Sequence, residues 1–317
     1  MRLVGFFGLV ACLLGSVSVC LAHTPDSAGP YETVEFSETL IDVQDDREVG
    51  ILFVAPVQTA SQIHACPLII FSHGFLLQGA MYQSYATHLA SHGFVVALPT
   101  YEISLIDPDH RQLADDLLLV LEACLTYTDL PSHTLYGRID ADAVGVAGHS
   151  LGGKISLLAA YQDERIRAAG LLDPVDSGNP LYDDPLRYPS VTPELMPSIH
   201  IPLLLLGAAL GGEASLFSPC APIDENYAQY FEYANPPTIE ITQLDVGHGQ
   251  YVDELGSLSM AVCARGSVLD DDVRSAARAY LTAFFLAELC GDQTAQAWLQ
   301  QRLLEEVAVG IIEVREK

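Results

Sequence analysis

Ala143-Val144-Gly145-Val146-Ala147, then Gly148-His149-Ser150-Leu151-Gly152, then Gly153-Lys154-Ile155-Ser156-Leu157-Leu158-Ala159-Ala160-Tyr161, is the stretch on which the reading of this chain turns. A short run of small and β-branched residues predicts a buried strand, and the run from Gly153 to Tyr161 predicts a helix. Between them lies G-x-S-x-G. A serine there must sit on a sharp turn in a strained backbone conformation, with its hydroxyl pushed outward. Side chains at 148 and 152 would collide across such a turn. The helix start behind the serine directs a positive dipole end towards any negative charge that develops.

The same alternation extends in both directions. Strands are predicted at 49–55, 67–72, 94–98, 143–147, 168–172, 201–206 and 238–244. Helices are predicted at 80–92, 110–127, 151–161, 224–233 and 271–288, with Leu113, Leu117, Val120, Leu121 and Leu125 on one face of the second. Strands alternating with crossover helices give an α/β fold with a mostly parallel central sheet and helices on both faces. With the elbow at Ser150, the expectation is an α/β-hydrolase fold. No internal repeat or second-domain boundary interrupts it, so 23–317 reads as one domain. Residues 176–199, rich in Pro, Asp, Tyr and Ser, read as a long lid-like excursion or a passive surface loop.

Lys and Arg total 14 against 41 Asp and Glu, a formal charge of -27. That excludes a phosphate-binding basic face, and with it a nucleic-acid partner. Arg2 followed by the apolar run Leu3 to Leu21 and the site Cys20-Leu21-Ala22 reads as a signal peptide over 1–22. The protein is then exported with no stable membrane span, a lipid anchor at Cys12 being the minor alternative. Export leaves Cys66, Cys124, Cys220, Cys263 and Cys290, enough for two disulfides and one free thiol. No CxxC, HExxH or EF-hand pattern is present, so no metal site is expected. Gly148-x4-Gly153-Lys154 approaches a phosphate loop but fails at Ile155, which cannot ligate Mg²⁺. Lys154 is then read as solvated or locally paired.

A nucleophilic serine needs a base, and the base an orienting acid, in the order Ser, acid, His for this fold. After Ser150 the histidines are His200 and His248. His248 lies between glycines just past the last predicted strand, where a turn can aim its ring, whereas His200 opens a strand. Asp173, at the tip of the strand ending at Leu172, is the chosen acid. Asp176 and Glu213 are the alternatives. Backbone N–H groups of Leu151 and Phe75 are the candidate oxyanion donors. Phe75, Leu76, Leu77 and Leu151 would form an apolar rim, and His73 is read as turn structure. The bare chemistry is that of a serine carboxylic-ester hydrolase.

The chain resembles the chlorophyllases over most of its mature length. The resemblance rests on Gly148-His149-Ser150-Leu151-Gly152-Gly153-Lys154, on Leu172-Asp173-Pro174-Val175-Asp176, on Leu210-Gly211-Gly212-Glu213 with Leu216-Phe217-Ser218-Pro219-Cys220-Ala221-Pro222, and on Gly247-His248. Leu151 departs from the arginine typical of the plant enzymes. The resemblance implies hydrolysis of the phytyl ester of chlorophyll to chlorophyllide and phytol. It implies no added cofactor, because the Mg²⁺ belongs to the substrate. Leu76, Leu77 and Phe217 are the residues expected to touch that substrate. The alternatives are a general exported carboxylesterase, lipase- or polyester-hydrolase-like enzyme, and, outside catalysis, a pigment- or lipid-binding module.

Overall fold

The computed structural model describes residues 23–42, 47–59, 64–101, 108–179, 184–214, 218–254 and 262–317. The expected signal segment 1–22, Phe217 and part of the excursion lie outside the described residues. The apolar runs pair into one sheet of nine strands: β1 (Thr33–Asp42), β2 (Arg47–Pro56), β3 (Cys66–Ser72), β4 (Val95–Thr100), β5 (Ile139–His149), β6 (Ile166–Leu172), β7 (Leu203–Ala208), β8 (Thr238–Gln243) and β9 (Ile312–Glu316). Their order is β1-β2-β4-β3-β5-β6-β7-β8-β9. From β4 to β8 every pair is parallel, and β1, β2 and β9 join antiparallel. The central strands read as unbroken apolar runs because both of their faces are covered.

Helices α2 (His110–Asp129), α3 (Leu151–Gln162) and α4 (Tyr227–Tyr233) cover one face, and α1 (Gln83–Ser91), α5 (Asp270–Cys290) and α6 (Gln293–Val309) the other. The periodicity of α2 is realised: Leu113, Leu117, Val120 and Leu121 are buried against the sheet. Each such side chain contributes about 1.5–3 kcal/mol by leaving water. Asp109 caps its start by accepting from the Gln112 N–H at 3.1 Å. The helix expected at 80–92 divides into a short 3₁₀ turn over Gly79–Tyr82 and α1. Strands β1 and β9 and helix α6 were not in the sequence reading.

The parallel strands end together, so the segments after β3, β5, β6 and β8 converge at one edge of the sheet. That edge is the usual ligand site of open α/β sheets.

Candidate active site

Ser150 follows β5 and starts α3 with φ 57° and ψ -125°, a backbone conformation that costs about 1–3 kcal/mol for a residue with a side chain. Its neighbours hold it there. Its N–H donates to the Leu172 carbonyl at 3.0 Å, and its carbonyl accepts from the Val175 N–H at 3.2 Å. The flanking glycines are required by contact. A Cβ on Gly148 would lie 2.3 Å from the Gly152 oxygen, and one on Gly152 would lie 2.2 Å from the Ser72 oxygen.

Asp173 is the first residue after β6 and is fully buried, with φ 40°. Its Oδ1 accepts from the Ala208 N–H at the end of β7, 3.1 Å away. Its Oδ2 lies 2.6 Å from His248 Nδ1. His248 opens a 3₁₀ turn after β8, and its Nε2 is 2.9 Å from Ser150 Oγ. A buried carboxylate, an imidazole and a half-exposed hydroxyl thus form one hydrogen-bonded line. The alternatives fall elsewhere. His200 and Glu213 are exposed. Asp176 is turned away from the imidazole: its Oδ2 accepts from Ser190 Oγ and from the N–H groups of Val191 and Thr192 at 2.7–3.0 Å. Its other oxygen pairs with Lys154 Nζ at 2.9 Å. Of the two expectations for Lys154, solvated or locally paired, the solvated one does not hold. Lys154 is fully buried, it also donates to the Ser177 carbonyl, and burial lowers its pKa against the opposing pull of Asp176. The pair fastens the start of the 176–199 excursion to α3.

Leu151 is the first residue of α3, so its N–H has no partner within the helix. Phe75 lies in the tight turn after β3, closed by Leu77 N–H to the Gly74 carbonyl at 3.1 Å. Phe75 and Leu76 are 40% and 50% exposed, and with Leu77 they edge the cleft at Ser150. The residue inside the motif that sequence reasoning passed over is His149. It is buried, its Nδ1 accepts from Tyr82 Oη at 2.7 Å, and its Nε2 donates to the His248 carbonyl at 3.0 Å. Tyr82 in turn accepts from the Gly74 N–H at 3.3 Å. Burial, and then the nearby His248, hold the His149 pKa well below the usual range, so the ring is neutral. His73 is also neutral, pushed down to about 4 by burial; its Nδ1 donates to the Gly74 carbonyl and its ring lies against Tyr101. A histidine directly before the elbow serine, inside the motif, was the signal the sequence offered for the His149 link.

Cys220 and Cys263 form a disulfide across 43 residues, while Cys66, Cys124 and Cys290 are free. Among the described residues one bridge is present where the count allowed two. It joins the loop after β7 to the segment after the His248 turn. Among the described residues, no group of three or more His, Cys, Asp or Glu side chains could hold a metal, and no helix is long and apolar enough to cross a membrane.

Sheet order and elbow define the class: this is an α/β-hydrolase. A model of the chlorophyllase family matches residues 29–313, and the chain belongs to that family. It is 26% identical to chlorophyllase-1 of Arabidopsis thaliana over 242 residues, 72% of this chain and 73% of that one. With chlorophyllase-2 of the same plant the figure is 25% over 278 residues, 83% and 85% of the two chains. A cutinase of Thermobifida alba is 33% identical over 134 residues, 42% of this chain and 38% of the relative. Family and fold together make the protein a carboxylic-ester hydrolase of the serine type.

Proposed function

We propose that this hydrolase cleaves the phytyl ester of chlorophyll, giving chlorophyllide and phytol, with Ser150 as nucleophile, His248 as general base and Asp173 as the residue that orients it. The observation that carries the reading is the unbroken line Asp173–His248–Ser150 at 2.6 and 2.9 Å within a chain of this family. His248 takes the hydroxyl proton as Ser150 Oγ attacks the ester carbonyl, and Asp173 holds the ring with Nδ1–H towards itself. The N–H groups of Leu151 and Phe75 receive the oxyanion. His248 then protonates the departing alcohol, and water clears the acyl-serine by the same route in reverse. The one-domain organisation of 23–317, export after loss of 1–22, and a lid role for 176–199 belong to the same proposal. The Cys220–Cys263 bridge supports an oxidising compartment.

The test is incubation with chlorophyll a and separation of chlorophyllide from the phytylated pigment, alongside a short nitrophenyl ester and Ser150→Ala. Chlorophyllide formed by the wild type and not by Ser150→Ala is the expected result. The cutinase likeness favours a second reading, a broader esterase or polyester hydrolase. Cleavage of the short ester alone would select it. Substantial turnover by Ser150→Ala would overturn both readings.

A further inference from the structure

Gln250 lies in the turn that carries His248, is 2% exposed, and makes every hydrogen bond its side-chain amide can make. Oε1 accepts from the N–H groups of Gly247 and Gly266, both at 2.8 Å. Nε2 donates to the Val268 carbonyl at 2.7 Å and to Asp270 Oδ1 at 3.0 Å. The backbone N–H of Gln250 closes the same turn on the Gly247 carbonyl at 3.0 Å. One side chain thus joins the residue before His248 to a separate strap, 264–270, that leads into α5.

Strap and turn meet without slack. A Cβ on Gly247 would lie 2.0 Å from the Ala264 oxygen, and one on Gly266 would lie 1.6 Å from the Asp245 oxygen. The Asp245 side chain, at φ 55°, accepts from the Ser267 N–H at 3.2 Å and from Ser267 Oγ. Beyond the strap, α5 is anchored in the core by Val273, Ala277, Tyr280 and Leu281. The His248 ring has no group left to orient itself, since Nδ1 meets Asp173 and Nε2 meets Ser150. Its place between them is set by its backbone. His149 holds that backbone on the carbonyl side, and Gln250 holds it on the side of Gly247.

We propose that Gln250 is a positioning residue for the general base, locking the Gly247–His248 turn to the 264–270 strap and so fixing the imidazole between Asp173 and Ser150. This rests on the His248 role proposed above. Only an amide suits the place, because two N–H groups face one end of it and two oxygens the other. A glutamate of the same shape would keep the bonds to Gly247 and Gly266. Its second oxygen would stand against the Val268 carbonyl and the Asp270 carboxylate, and would push the strap away from the turn. A leucine would leave all four partners unpaired.

The variants are Gln250→Glu, Gln250→Glu/Asp270→Asn and Gln250→Leu. Leu303→Ala in α6 is the control, destabilised away from the site. Each is compared with wild type in melting temperature, in hydrolysis of a short nitrophenyl ester well below melting, and in the proton resonance of the 2.6 Å His248–Asp173 hydrogen bond. That proton lies far downfield and is identified by its loss in Asp173→Asn. Gln250→Glu is expected to lower kcat about 10²-fold with KM little changed, and to shift or broaden the downfield proton in folded protein. Adding Asp270→Asn turns one repelling oxygen into a donor and should recover much of kcat. Leu303→Ala should lower the melting temperature and leave kcat and the proton as in wild type. Gln250→Leu should lose at least as much activity as Gln250→Glu; should it fail to fold, the glutamate pair carries the test. A folded Gln250→Glu with the kcat of wild type, or one that loses kcat while the downfield proton stays unmoved, overturns the positioning role. Should solvent exchange hide the proton, kcat and its recovery decide alone. Full activity in Asp173→Asn would instead refute the triad, and this role with it.

Discussion

Replacing His149 by Phe keeps the ring volume and removes two buried hydrogen bonds, one from Tyr82 Oη and one to the His248 carbonyl. Each bond contributes about 0.5–1.5 kcal/mol net, and each buried partner left unpaired costs about 1–3 kcal/mol. The Tyr82 hydroxyl keeps its bond from the Gly74 N–H but loses its acceptor. The expected loss of stability is about 2–5 kcal/mol by that accounting. The same bonds tie the Gly74 turn, the elbow and the His248 turn together. An ångström of drift at the reacting groups can cost about 10²-fold in rate, so kcat should fall by that order while KM changes little. His149→Gln, which can both accept and donate, should recover much of both losses. Urea unfolding and steady-state hydrolysis of a short ester read the two effects. Linkage supplies an independent check. The folded ring refuses a proton that the unfolded histidine takes below about 6.5. Wild type should therefore lose stability relative to His149→Phe as pH falls below that value, by up to about 1.4 kcal/mol per pH unit. A difference constant between pH 7.5 and pH 5, or a stability loss under about 0.5 kcal/mol, would refute the linkage role.

Asp173→Asn should keep the fold and lower kcat by about 10⁴, since an amide beside Nδ1 selects the wrong tautomer; Asp176→Asn, measured in parallel, should act on melting temperature far more than on kcat. Lys154→Met leaves the Asp176 carboxylate buried without its cation and should cost about 3–5 kcal/mol, and chemical denaturation should show part of that loss restored in Lys154→Met/Asp176→Asn. Reduction, or Cys220→Ser with Cys263→Ser, should lower stability by about 4 kcal/mol on the chain-entropy estimate for a loop of this size, read as the shift in urea midpoint with and without reductant.

The parts of the fold that were legible are those with one unambiguous environment. Strands β3, β4 and β7, with 143–148 of β5 and 168–172 of β6, are buried on both faces, so those stretches are largely apolar. Strands β1 and β9 are edge strands whose side chains are mostly exposed or half-exposed, so Thr33–Asp42 and Ile312–Glu316 carry no apolar run. Pairing with β2 and β8 makes them strands, and that pairing is non-local. Helix α6 was hidden for a related reason: it buries Ala295, Leu299, Leu303 and Glu306, while Leu304, Val307 and Val309 are exposed, so its apolar residues mark no single face. Lys154 shows the converse failure. A lysine reads as solvent-facing, yet a carboxylate at 176 and a carbonyl at 177 accept its charge inside the protein. No local pattern announces a partner that far along the chain.

Asp173 shows how the site depends on a strand that contributes no ionisable group to it. Directly after β7, over 207–213, the carboxylate on offer is Glu213, which is exposed. What β7 supplies instead is the Ala208 N–H, which occupies Oδ1 of Asp173 and leaves Oδ2 for His248. The Leu206 carbonyl accepts the Asp173 N–H at 2.6 Å, so β7 fixes both the backbone and the side chain of the acid. Gly211 completes the arrangement, since a Cβ there would stand 2.7 Å from Oδ2. The glycine-rich run after β7 thus has a physical cause: it lets the loop close over a carboxylate from the neighbouring strand. A Gly211→Ala substitution tests this directly, because the methyl would press on the oxygen that holds the imidazole. It should lower kcat with less effect on unfolding than Lys154→Met has.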